Sequence, residues 1–294
     1  MVVKELDLGL DYKKAGIPVP EKLPTFTGFI LQNYAEYCRD RKRPAVLVLP
    51  GGGYAFTSER EATPVALAFA AAGISAFVLR YTCAPGARFP TQVIQALQAV
   101  KVIREHAEEW NIDPDKIAVC GFSAGGHLTA STGVFWNHEI MREHGFHGDA
   151  HKPNGLILCY PVITGGEKAH RGSFENLLGD QYSDEMIELT SLEKQVTRDT
   201  PKSFLWHTYD DDGVPVENSL LFASALAENG VPFELHVYPH GYHGLSLANG
   251  LVNGPDGVLP NVQTWVKFAP LHGGVKVSTG ILKFSKRVER AKAL

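Results

Sequence analysis

Long apolar runs are missing from this sequence. No window reaches 18 uninterrupted apolar residues, so a membrane-spanning helix is not expected. Charge of one sign is missing too: 28 basic and 32 acidic residues leave a formal net charge of -4. Such a balance makes no field that would gather nucleic acid or an anionic membrane surface. Cysteine is scarce, with 4 residues in the chain. Cys120 and Cys159 stand in apolar runs, where a thiol behaves as a small hydrophobe, and Cys38 and Cys83 in more polar ones. No pair has metal-site spacing, so free thiols rather than a disulfide framework are expected. The opening MVVKELDLGLDYKK carries acids among its apolar residues and lacks the apolar core of a signal peptide, which predicts a cytoplasmic location. Repeats, linkers and low-complexity tracts are also lacking.

What is there fits a soluble globular protein: 294 residues, 44% hydrophobic and 20% charged. Short β-branched runs alternate with helical patterns. AVLVLP (Ala45 to Pro50), ISAFVLR, KIAVC, GLILCYPVI, SFLWHT and PFELHVYP read as buried strands. Between them lie VALAFAAAG, which Gly73 ends, a long helix over Phe89 to Trp110, a helix beginning near Ala124, and VENSLLFASALAENG. SERE at Ser58 to Glu61 has the spacing of a capping box. Near-continuous apolar strands separated by helices predict an α/β fold with a mostly parallel sheet covered on both faces. Residues 1–44, broken by Pro18, Pro20 and Pro24, are expected to add strands and turns to that sheet. Residues 45–269 form the expected core, and the polar segments 137–154 and 165–200 are expected as a small cap. After Trp265 a helix is expected to stop at Pro270, leaving 270–294 as a basic tail.

The residues with chemistry begin at KIAVCGFSAGGHLTAS. Gly121-Phe122-Ser123-Ala124-Gly125 fits the G-x-S-x-G nucleophile elbow, a sharp turn between a strand and a helix. Residues two before and two after the serine must be small for the chains to pass. The helix N-terminus then offers free N–H groups to a developing oxyanion. Chance gives this pattern about 0.13 times at this glycine content, so the context of strand and helix has to strengthen it.

A serine needs a base, and the base an orienting carboxylate. Two loops that follow late strands supply them. Asp210, Asp211 and Asp212 follow SFLWHT, and His240-Gly241-Tyr242-His243-Gly244 follows FELHVYP. From position alone the three aspartates stay open, and His243, between glycines, stands ahead of His240. Pro50-Gly51-Gly52-Gly53-Tyr54 follows a strand and can aim backbone N–H groups at a substrate oxygen. It lacks the Gly-Lys-Ser/Thr ending of a phosphate loop, and no G-x-G-x-x-G opens a helix here. Paired with the elbow, these glycines point to an oxyanion hole made by Gly52, Gly53 and Ala124. His138, His144, His147, His151 and Asp149 raise the rival of a metal-binding protein, but their spacing fits no tight site, so no metal is expected.

Together PGGGY…SERE, LRY…AP, GFSAGGHLTAS, FLWHTYDDDGVPVENS and YPHGYHGLSLA resemble the α/β-hydrolase esterases, in particular their carbohydrate acetyl esterase and acetylxylan esterase branch. The similarity runs from about Arg43 to Phe268. The family's acid lies four residues before the proline of D-x-x-V-P, which implies Asp211, and its histidine in G-x-H-G, which implies His243. Its oxyanion glycines carry over to Gly52 and Gly53. A branch with His-Gly-Gly-Gly has histidine where this chain has Pro50. The resemblance implies a Ser123–His243–Asp211 esterase without a cofactor, acting on short acyl esters of xylo-oligosaccharides or other acetylated sugars. A formamidase or aminopeptidase-like amidase would use the same residues. No nucleic acid or membrane partner is implied, and a homo-oligomer stays open.

Overall fold

The computed structural model describes residues 1–37 and 39–272. Eight strands form one sheet: β1 (Val2–Leu6), β2 (Thr25–Ile30), β3 (Arg43–Leu49), β4 (Ser75–Arg80), β5 (Ile112–Phe122), β6 (Gly155–Cys159), β7 (Ser203–Thr208) and β8 (Phe233–Tyr238). Their order is β1-β2-β4-β3-β5-β6-β7-β8. β2 runs antiparallel to both β1 and β4, and the pairs from β4 through β8 are all parallel. This is the α/β-hydrolase arrangement, a mostly parallel sheet with helices on both sides.

The inner strands β3, β4, β6 and β7 read as unbroken apolar runs because both of their faces are covered, whereas β8, expected as a buried strand, is an edge strand with no buried residue. Along β3, Ala45, Leu47 and Leu49 join one core and Val46 and Val48 the other. The first core receives Val93, Leu97 and Val100 from α2 (Thr91–Glu105) and Leu128 from α3 (Ala124–Phe135). The second receives Val65 and Phe69 from α1 (Thr63–Ala71) and Trp265 from α8 (Trp265–His272). Full burial of each such side chain contributes about 1.5–3 kcal/mol, so the two layers hold the strand ends firmly in place.

Connectivity decides which segments overhang those ends. Residues 165–200 leave the C-terminal end of β6 and carry α5 (Arg171–Leu178) and α6 (Asp184–Thr190) before β7 begins. Residues 137–154, with α4 (Glu139–Glu143), instead run from the end of α3 to the start of β6. That connection lies at the opposite edge of the sheet, so the histidine-rich segment cannot share in a cap over the site. Its His144 bonds the Ala15 carbonyl at 2.7 Å, and its buried His151 bonds the Trp136 carbonyl at 2.6 Å.

Two local expectations change. α2 ends at Glu105, and turns fill the stretch to Asn111, which has φ 55°. α8 continues past Pro270 to His272, two residues beyond the expected stop. The tail expected over 270–294 lies outside the described residues beyond that point. Cys83, Cys120 and Cys159 are free thiols, while Cys38 lies outside the described residues. Among the described residues no helix is long and apolar enough to cross a membrane. α7 (Glu217–Glu228) follows the acid loop and leads into β8.

Candidate active site

Ser123 sits between β5 and α3 with φ 52° and ψ -119°, the strained turn of a nucleophile elbow. The turn closes only because its neighbours lack side chains. A Cβ on Gly121 would meet the Gly125 carbonyl oxygen at 2.0 Å, and one on Gly125 would meet the Leu49 carbonyl oxygen at 2.1 Å. The Ser123 N–H donates to the Cys159 carbonyl at 3.0 Å, and the Ser123 carbonyl accepts from His127 and Val162. The backbone is thus pinned between β6 and α3 while the hydroxyl is left for other work.

That hydroxyl lies 2.8 Å from His243 Nε2. On the far side of the ring, Nδ1 lies 2.8 Å from Asp211 Oδ2 and 3.1 Å from Oδ1. The carboxylate can only accept, so Nδ1 carries the proton and Nε2 is free to accept from Ser123. Asp211 also accepts the N–H groups of Gly213 at 2.9 Å and Val214 at 2.8 Å. Buried His207 approaches Oδ2 at 3.4 Å while bonding the Val214 carbonyl and Ser219 Oγ. Burial alone would raise the Asp211 carboxyl. The hydrogen bonds from His207, His243 and Val214 outweigh it and hold the acid well below the usual carboxylate range.

The other two aspartates do different work. Asp210 accepts from His240 Nδ1 at 3.0 Å and from the Gly241 N–H at 2.7 Å, an exposed pair that fixes the shape of the histidine loop. Asp212 takes the backbone N–H of His243 at 3.3 Å. His240 therefore stands with Asp210, away from Ser123.

The glycine run curls over the elbow. Gly52 and Gly53 have φ 128° and 60°, and Tyr54 follows at 59°. The amides of Gly52, Gly53 and Ala124 donate to none of the described residues. Four neighbours hold this loop. Asn176 of α5 donates to the Gly53 carbonyl at 2.9 Å, and Ala84 donates to the Tyr54 carbonyl at 2.8 Å. Tyr81 donates to the Pro50 carbonyl at 2.8 Å. The Tyr54 hydroxyl donates to His127 Nδ1 at 2.8 Å, and His127 Nε2 reaches the Thr190 carbonyl at 2.9 Å. Burial pushes His127 down to about 4, so it stays neutral and keeps that tautomer.

Sequence reasoning missed the supporting shell, and Glu61 most of all. No capping box forms: the Ser58 side chain caps nothing, and its N–H donates to the Gly51 carbonyl at 2.9 Å. Glu61 instead turns inward, 3% exposed, and its carboxylate accepts the Gly51 N–H at 2.8 Å and the Tyr160 hydroxyl at 2.7 Å. Burial raises its pKa against the opposing pull of Tyr160, Gly51, His243 and Arg60. Ser-x-x-Glu is a local pattern, whereas Gly51 and Tyr160 reach Glu61 only through the fold. The one signal available was a glutamate placed soon after a glycine run and just before an apolar helix.

On the cap side, half-buried His170 bonds Ser173 Oγ at 2.9 Å. Burial and then the nearby His243 lower the His170 pKa. Ser173 Oγ lies 3.9 Å from where a Cβ on Gly53 would stand, so a polar wall borders the glycine loop. Among the described residues no three His, Cys, Asp or Glu side chains gather as metal ligands.

Sheet, elbow and loops define an α/β-hydrolase-fold protein with its candidate site at the C-terminal ends of the strands. More particularly, the chain belongs to the BD-FAE family, whose model matches residues 31–226. That stretch takes in Ser123 and Asp211 and ends before His243. The chain is 39% identical over 259 residues to endo-1,4-beta-xylanase B of Butyrivibrio fibrisolvens, covering 81% of this chain and 40% of that protein. It is 31% identical over 233 residues to an acetylxylan esterase of Xylanibacter ruminicola, covering 77% and 46%. It thus spans less than half the length of these two curated relatives. Among solved structures, it resembles an acetyl ester-xyloside bifunctional hydrolase from Caldicellulosiruptor lactoaceticus. That likeness has a TM-score of 0.77 and 36% identity, over 90% of this chain and 93% of the other.

Proposed function

We propose that this chain is a serine esterase that removes short acyl groups, acetyl above all, from sugar hydroxyls such as those of xylo-oligosaccharides. The observation that carries the reading is the continuous relay from Ser123 Oγ through His243 to Asp211. His243 takes the serine proton as Oγ attacks the ester carbonyl, and Asp211 holds the imidazole tautomer and balances the imidazolium. The oxyanion forms against the amides of Gly52, Gly53 and Ala124. The imidazolium of His243 then gives its proton to the departing sugar oxygen, which leaves as the free hydroxyl, and water activated by the same imidazole cleaves the acyl-enzyme. The relay calls for neither a metal nor an organic cofactor.

Three features favour a sugar ester. The cap residues beside the glycine loop are polar: His170, Ser173 and Asn176. Phe56, Tyr209 and Tyr242 are exposed on the oxyanion, acid and histidine loops, where aromatic faces can pack against sugar rings. Relatives with xylan-directed names supply the third.

Ser123→Ala tests the nucleophile. Hydrolysis of p-nitrophenyl acetate should fall by about 10⁴- to 10⁶-fold, and retained activity would remove Ser123 from the mechanism. Mass spectrometry of acetylated xylo-oligosaccharides before and after treatment tests the substrate. Acetyl loss is expected there, and turnover of N-formylkynurenine or peptide anilides alone would favour an amidase.

A further inference from the structure

Glu61 is a buried ionisable group that the acyl-transfer steps leave without a task. Its two carboxylate oxygens reach in different directions. Oε2 accepts the Gly51 N–H, at the root of the glycine loop. Oε1 accepts the Tyr160 hydroxyl, at the end of β6. That hydroxyl in turn accepts the Ser246 N–H at 2.8 Å, three residues after His243. Ser246 Oγ donates back to the Arg60 carbonyl at 2.7 Å, so the Arg60–Glu61 segment grips the histidine loop twice. The rings of Tyr160 and His243 meet edge to face with centroids 5.2 Å apart. A Cβ on Gly51 would stand 2.8 Å from Glu61 Oε2 and 3.0 Å from Ser123 Cβ, so carboxylate and nucleophile press on the same glycine.

We propose that Glu61 is a positioning residue, one that ties the oxyanion loop to the histidine loop through Gly51 and Tyr160. The inference rests on the serine-esterase reading above. Both carboxylate oxygens accept hydrogen bonds, and the tyrosine oxygen is already an acceptor for Ser246, so the network is complete when Glu61 is ionised. The anion then lies behind His243 and favours the imidazolium that forms in the transition state. Groups facing His243 are Asp211 and Asp212 from the acid loop, Tyr160 from the end of β6, His170 from the cap, and Glu61 itself. Those facing Glu61 are Arg60, Tyr81, Cys159 and Tyr160 besides His243.

The test compares Glu61→Gln and Tyr160→Phe with the wild-type protein on p-nitrophenyl acetate, with thermal melts to establish folding. Glu61→Gln should lower kcat by about 10- to 100-fold with KM changed less than about threefold. It should also move the acid limb of kcat/KM to lower pH, because the charge that favours the imidazolium is gone. Tyr160→Phe keeps that charge and cuts the tie, so kcat should fall by about tenfold while the acid limb stays in place. A folded Glu61→Gln protein with wild-type kcat and an unmoved limb would overturn the proposal. If Glu61→Gln does not fold, Tyr160→Phe decides alone, and an unchanged kcat there overturns it. A wild-type protein that neither hydrolyses the ester nor takes a fluorophosphonate on Ser123 would instead overturn the esterase reading itself.

Discussion

Asp211 and Glu61 both lie near His243 and both are shielded from water, yet their carboxyls are driven in opposite directions. The Asp211 side chain is 1% exposed and Glu61 as a whole residue is 3% exposed, so both carboxylates are out of water, Glu61 the more deeply. Their donors differ more. Asp211 gathers two backbone amides of its own turn, a catalytic-type imidazole, and the nearby His207. Glu61 receives one amide and one phenol, too little to offset its desolvation. Burial sets the cost of a charge, and the number of aimed donors decides whether the charge is kept easily or reluctantly. A carboxylate bonded directly to the imidazole has the first environment, and one that reaches the histidine loop through Tyr160 has the second.

Removing the Asp211 charge should have the largest effect. Asp211→Asn should cost about 10⁴-fold in kcat, since the amide favours the wrong imidazole tautomer. Asp210→Asn and Asp212→Asn should each cost less than about tenfold, because they shape the loop from outside the relay. Steady-state kinetics on p-nitrophenyl acetate reads all three, and an equal loss at Asp210 would transfer the acid's role. Next in size, His207→Gln strips one donor from Asp211 and disturbs the Val214 and Ser219 bonds. A loss of about 1–3 kcal/mol is expected, visible as a melting temperature lower by several degrees, with activity reduced by about tenfold.

The smallest effect is the pH dependence of stability, which should have opposite signs at the two carboxyls. Asp211 has a depressed carboxyl, so the stability it contributes is present above the ordinary carboxyl range and is lost as pH falls through its native value. Glu61 has a raised one, so its contribution is present below the ordinary range and is lost as pH rises through its native value. The gap in melting temperature between wild type and Asp211→Asn should shrink toward acid. The gap between wild type and Glu61→Gln should shrink toward neutrality. Parallel slopes in the two series would show that the two sites are not electrostatically opposed.

How much of this was legible in the sequence follows from distance along the chain. Ser123, Asp211 and His243 each stand just past an apolar strand, and a parallel sheet gathers strand ends at one edge whatever the loops between them do. The alternation of strands and helices that places them is likewise a local, periodic signal. Glu61 resisted because its partners are 10 residues upstream and 99 downstream, and its local pattern had a plausible use as a helix cap. His127 resisted similarly: it looks like one more polar residue on a helix until Tyr54 and Thr190 are seen on its two ring nitrogens. The histidine-rich stretch at 137–154 misled in the other direction, because polarity says nothing about which edge of a sheet a connection joins.

The glycine loop has one more consequence, for anyone hoping to move it. Its carbonyls and amides are held by a cap helix through Asn176, by the segment after β4 through Ala84 and Tyr81, by the elbow helix through His127, and from beneath by Glu61. Four parts of the chain contribute five anchors between them. The loop is therefore not a portable cassette. Grafting Pro50 to Tyr54 onto another scaffold would transplant the letters and leave behind the geometry that makes them useful.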